Sequence, residues 1–216
     1  MKLFALLLLL TLAIVGVNDR ALAQSQPVKD AAGVARNGEA NKPAAEKPSL
    51  NPNDARTAAQ LFEDADKYLE KKFAEFENRH MPFDARLSDK IKQEQRDLAA
   101  SYATLLAARQ LEGQDVYYLG LLYNLARNFD AALETMRRFL AENPKATGEP
   151  AQNARAIIVI QAAKKGLLEE AGSRLAEYAK DQPQLAEDRY TLENWVGVGY
   201  FKIKRRRRGS SSATQS

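Results

Sequence analysis

The sequence predicts an all-α protein in which a long helical hairpin is followed by a short stack of helix pairs. Three observations lead there. Apolar residues recur at spacings of three and four over long segments, which is the period of one helix face. Prolines at Pro82, Pro144 and Pro183 cut those segments into helix-sized lengths. Glycine, alanine and proline then return in a similar register along the second half of the chain, as internal repeats do. With 45% hydrophobic residues in 216, the chain can bury a core. It has no cysteine, which excludes a disulfide, a thiolate metal site, a thiol nucleophile and a redox-active cysteine pair.

The first element is a leader. Lys2 precedes an apolar run from Leu3 to Val17, and Ala21 and Ala23 form an A-x-A site before Gln24, the layout of a secretory signal peptide over residues 1–23. A run of about 15 apolar residues is shorter than the roughly 20 that span a bilayer, so no stable membrane span is expected after cleavage. The mature protein is expected to be exported, periplasmic or secreted, in a bacterial envelope. Residues 24–53 are rich in Ala, Asn, Pro and Lys, hold no aromatic residue and show no sustained period, so they are predicted to be a disordered linker.

The formal charge of +4 is unevenly spread. Six positive charges lie between Lys202 and Arg208, so the isoelectric point of about 9.2 belongs to the tail rather than to the folded body. No aromatic residues are interleaved with Arg205 to Arg208, and no nucleic-acid partner is expected.

The hairpin occupies residues 54–110. Asn53 or Asp54 is placed to cap a helix in which Leu61, Ala65, Tyr68, Leu69, Phe73 and Phe76 share one face. Pro82 breaks it, and a second helix from about Asp84 to Gln110 carries Leu87, Ile91, Leu98, Tyr102, Leu105 and Leu106.

Residues 111–205 hold the repeats. With Gly113 as the first place of a 34-residue unit, Leu119, Gly120 and Tyr123 fall at 7, 8 and 11, Phe129 at 17, Ala132 at 20 and Pro144 at 32. This register resembles the tetratricopeptide repeat, although Val116 stands where that family often has tryptophan and Phe139 replaces a small residue. A second unit places Gly166 at 15, Leu168 at 17, Ala171 at 20 and Pro183 at 32, with Val159 and Ala162 in the glycine and tyrosine places. A third begins with Gly197 and Tyr200 and then loses the pattern at Arg206 and Gly209. Either this helix caps the array or the chain is part of a longer protein, and residues 206–216 are expected to be a disordered basic and serine-rich tail. The resemblance implies a short right-handed α-solenoid, in which Gly120 allows a close helix crossing with Ala132 opposite it. Trp195, the sole tryptophan, is expected to pack the third unit onto the second.

In that family a concave groove is lined from places 2, 5, 9, 12 and 13. Carried over, these are Gln114, Tyr117, Leu121, Asn124 and Leu125, then Asn153, Ala156, Ile160, Ala163 and Lys164, then Thr191, Asn194, Val198, Phe201 and Lys202. The mixture suits a protein or peptide partner with apolar side chains. The lysine and asparagine arrangement with which some members hold a terminal carboxylate is not reproduced, since Tyr117 and Leu121 take two of its places. The lone histidine, His80, sits beside a turn without a nucleophile to serve, and Glu63, Asp64 and Asp66 suit a solvated face. No phosphate-binding loop or metal-ligand spacing occurs, so no catalysis, metal or cofactor is expected. A non-catalytic interaction module follows. A second expectation comes from the segment running from the first hairpin through Arg205, which, chiefly in residues 82–110 and 116–140, resembles the helical leaders of exported bacterial thioredoxin-like proteins: the catalytic domain of a thiol-disulfide oxidoreductase would then lie outside this chain.

Overall fold

The computed structural model describes residues 54–212 apart from Met81, Phe83 and Leu185. The leader, the linker and residues 213–216 therefore lie outside the described residues. Within them every regular element is a helix. These are α1 (Ala58–Asp66), α2 (Tyr68–Asn78), α3 (Ala85–Ala107), α4 (Gln114–Leu125), α5 (Phe129–Glu142), α6 (Gly148–Lys165), α7 (Leu168–Tyr178) and α8 (Ala186–Ser212).

The first helix starts later than the sequence predicts. Thr57 is its cap: the Thr57 hydroxyl accepts from the Gln60 amide N–H at 3.2 Å, and the Gln60 side chain accepts from the Thr57 N–H at 2.9 Å. Asp54 instead accepts from the backbone and guanidinium of Arg56. The expected single helix is also two, because the chain turns at Lys67, with φ −78° and ψ 0°. At that break the buried Gln95 of α3 donates to the carbonyls of Ala65 at 2.9 Å and Asp66 at 3.1 Å, giving polar partners to backbone groups on the inner side of the bend. Asp84 caps α3 by accepting from the Arg86 N–H at 2.8 Å.

Each helix packs on its neighbours in chain order. The α1 and α3 helices pack together and both pack on α4, while α2 packs on α3. Helix α4 pairs with α5, α6 pairs with α7, and α6 also meets α4, α5 and α8. The core runs without a break from Leu61 and Phe62 through Leu106, Val116, Leu122, Leu133 and Met136 to Ile158. Helix α6 is its centre: from Ala151 to Ala163 every residue but Arg155 is buried. Surrounded on so many sides, it carries no apolar stripe, which is why its amphipathic pattern is weak in the sequence.

Helix α6 ends on Gly166, whose φ of 80° lies in the left-handed region that favours glycine. Its buried Gln152 ties down the segment after α7, donating to the carbonyls of Tyr178, Asp181 and Pro183 at 3.0, 2.9 and 3.2 Å. Helix α8 continues through Ser212, past Arg206, so the expected disorder from 206 does not hold for residues 206–212. Arginine and lysine are good helix formers, and extending an existing helix is far easier than starting one. No helix among the described residues is long and apolar enough to cross a membrane.

Candidate binding surface

Much of the groove expected from the sequence lies inside the protein. Tyr117, Leu121, Asn153, Ala156, Ile160 and Ala163 are all buried. The Tyr117 ring packs 5.4 Å from both Tyr118 and Phe139, and its hydroxyl accepts from the Asn153 side-chain amide at 2.8 Å. Burial holds the Tyr117 phenol above the usual tyrosine range. These side chains are internal because the hairpin packs α1 and α3 onto α4, and because α6 is enclosed by four helices. Tyr117, Leu121, Asn153 and Ile160 therefore join helices and do not line an open surface, a correction to the expected groove. The remaining places reach the surface: Gln114, Lys164, Asn194, Val198, Phe201 and Lys202 are exposed, and Asn124, Leu125 and Thr191 are half-buried.

The residues given structural places divide as well. Leu119, Gly120, Ala132 and Ala171 are buried, Tyr123, Phe129 and Gly166 are half-buried, and Pro144 and Pro183 are exposed. Gly120 sits at a close approach, but the group facing it is Met136: a Cβ there would stand 2.7 Å from Met136 Cε. Ala132, expected opposite, is buried one turn earlier on α5.

In α8 the expected register is displaced. A Cβ on Gly197 would meet nothing within 4 Å, and Tyr200 is 58% exposed. The close approach is made by Gly199, where a Cβ would lie 2.5 Å from Leu168 Cδ2 and 3.0 Å from the Ala163 carbonyl oxygen. Leu192, Trp195, Val196, Gly199 and Ile203 form the inward face, at helical spacing. One sequence signal pointed there. Counting the unit two residues later puts Trp195 in the tryptophan place and Gly199 in the glycine place, whereas Gly197 is selected only by Tyr200.

At the C-terminal ends of α4 and α6 the surface is basic and aromatic. The Lys164 ammonium lies 5.0 Å from the Phe129 ring centre and 4.6 Å from that of Trp195, within cation–π range of both. Although the residue as a whole is exposed, desolvation of its ammonium, with Arg127 and then Lys202 adding like charge, holds Lys164 below the usual lysine range. Arg127 follows α4 with φ 60°, a left-handed conformation that costs a side-chain-bearing residue about 1–2 kcal/mol. Burial and the nearby Arg96 hold its guanidinium below its usual range too. The neighbouring Lys165 is paired with Asp130, and Arg137 with Glu134 and Glu170.

Glu63, Asp64 and Asp66 serve the hairpin. Glu63 pairs with Lys67 at 2.5 Å, and Asp64 accepts from Lys71 at 2.8 Å, Tyr102 at 2.7 Å and Arg56 at 3.2 Å. Burial holds the Asp66 carboxyl above its ordinary value. His80 is exposed at the turn after α2, and no group of acidic or histidine side chains among the described residues is arranged to hold a metal ion.

Comparison of the chain with protein-family models, curated proteins and solved structures finds no match.

Proposed function

We propose that this chain is an exported, non-catalytic protein–protein interaction module built on the plan of a short tetratricopeptide-like right-handed solenoid. The order of packing supports the reading most: α4 with α5 and α6 with α7 form successive pairs, and the first helix of each pair also meets the first helix of the next unit. The glycine contacts at Gly120 and Gly199 are consistent with closely crossing helices. On this plan the hairpin helices α1 and α3 stand as the unit before α4, which accounts for the burial of Tyr117 and Leu121. The surface left for a partner then runs through Asn124, Lys164, Asn194 and Phe201.

Photo-crosslinking residues placed at Asn124, Asn194 and Phe201, in cells producing the full chain, test this. The reading predicts a discrete protein adduct at these positions and none at the exposed Lys180 of the opposite end of α7. Adducts at Lys180 alone, or at no position, contradict it.

A further inference from the structure

The outer face of α8 has no partner among the described residues. Of the five large apolar side chains exposed there, Tyr190, Val198, Tyr200 and Phe201 all lie on this helix, so the exposure is concentrated and not scattered. Tyr190 and Phe201, at 73% and 68%, are the most exposed of them. They share a stripe with Glu187, Asn194, Gly197 and Lys204, and the steps along it alternate between three and four residues. That alternation keeps one line of a helix turned toward a second helix along its length. The stripe lies away from Leu192, Trp195, Val196, Gly199 and Ile203, the face that packs on α6 and α7. Gly197 sits near its middle, exposed, with nothing within 4 Å of where a Cβ would stand. Glycine is a poor helix former, and no contact inside the chain explains it here, as the Leu168 and Ala163 contacts explain Gly199.

We propose that this face pairs with the same face of a second copy of the chain, the two α8 helices running antiparallel. The stripe is self-complementary. A two-fold axis between Trp195 and Val196 brings Tyr190 of one copy to Phe201 of the other, and Asn194 to Gly197, the smallest residue against a side-chain amide. The same axis brings Glu187 to Lys204, so opposite charges meet at both ends of the seam. Parallel pairing would set Glu187 against Glu187 and Lys204 against Lys204, with the two basic runs from Lys202 to Arg208 side by side. In the antiparallel arrangement those runs are centred about 28 Å apart along the helix axis, beyond the roughly 8 Å over which charges act at physiological salt. This assignment rests on the interaction reading and names the partner that meets Asn194 and Phe201.

Sedimentation equilibrium of the purified full chain tests this, and a reversible monomer–dimer equilibrium is expected. Phe201→Ser should weaken the dimer by about tenfold or more, because the two-fold axis repeats the loss of an aromatic contact. Leu167→Ser removes the one exposed large apolar side chain outside α8 among the described residues and should leave the equilibrium unaltered. Phe201 and Lys204 are exposed in the single chain, so variants at these places should keep the helical spectrum by circular dichroism. The charged ends give the sharper result. Glu187→Lys and Lys204→Glu should each weaken the dimer by about fivefold, as two ion pairs become like-charge pairs, and the double variant should restore it. A chain that stays monomeric up to about 1 mM overturns the proposal, whether or not it binds vesicles of an anionic phospholipid. So does a dimer indifferent to Phe201→Ser, or one that neither single charge exchange weakens, since parallel pairing or another face would behave that way. If the chain alone is monomeric while Asn194 and Phe201 crosslink to a different protein, the second copy is the wrong occupant and the interaction reading stands.

Discussion

At the scale of the residue, the glycines of α8 carry the sharpest information. Gly197 faces open space, so Gly197→Ala should hold or raise the melting temperature, because alanine is favoured over glycine in a helix by about 1 kcal/mol. Gly199 faces Leu168 and the Ala163 backbone carbonyl, and a backbone oxygen cannot step aside as a side chain can. Gly199→Ala should therefore destabilise by about 1–3 kcal/mol and lower the melting temperature by several degrees. Thermal denaturation followed by circular dichroism separates the two, and the opposite order would show that α8 docks in another register. Gly120 was legible in the sequence because leucine, tyrosine, alanine and proline surround it at their expected places. Gly199 was not, since two glycines two residues apart offer two registers and Tyr200 favours the wrong one. Met136 was equally hidden: its sequence position identifies a core methionine but not which glycine its flexible side chain fills.

At the scale of the element, local chemistry corrected the sequence in two places. The hairpin is recognisable from apolar spacing and Pro82, yet the division between α1 and α2 depends on Gln95, about thirty residues away, and no local pattern reports a distant amide. The start of α1 was misplaced for a related reason. Asp54 has the right chemistry for a cap, but Arg56 and Arg109 claim that region, with the Arg109 guanidinium donating to the carbonyls of Arg56 at 2.8 Å and Asp54 at 2.6 Å. Arg56 also lies 4.7 Å from the Tyr102 ring centre and donates to its hydroxyl at 3.1 Å, tying the entry of α1 to α3. Hydrogen bonds from the Arg56 side chain, and then from its backbone, hold the Asp54 carboxyl down from 3.8 to about 2. A carboxyl depressed in the folded state stabilises above its unfolded pKa and loses that contribution as pH falls through its folded value. Stability should accordingly decline between about pH 4 and pH 2, and Asp54→Asn should flatten part of that decline. A series of melts across this range checks it, and an identical acid profile in the variant would mean that the network contributes nothing.

At the scale of the whole molecule, the all-helical fold was legible because it needs only helical period and breakers, both local properties. The accessible surface was much less so, because exposure depends on which helices meet. A repeat register assigns Tyr117, Leu121, Asn153 and Ile160 to a groove, but the stacking of α1 and α3 on α4 and the enclosure of α6 turn them inward. What survives is the outer part of α8 with the ends of α4 and α6, where Phe201 is 68% exposed and Lys164 lies between two rings. The account therefore depends on a stack with α6 at its centre. Native-state hydrogen exchange of the full chain measures this directly, since the slowest amides report the elements that open only with the whole fold. The account predicts that the amides of α6 from Ala154 to Ala163 exchange most slowly and those of α2, which has no buried residue, most rapidly. Exchange of α6 as fast as that of α2 would contradict it.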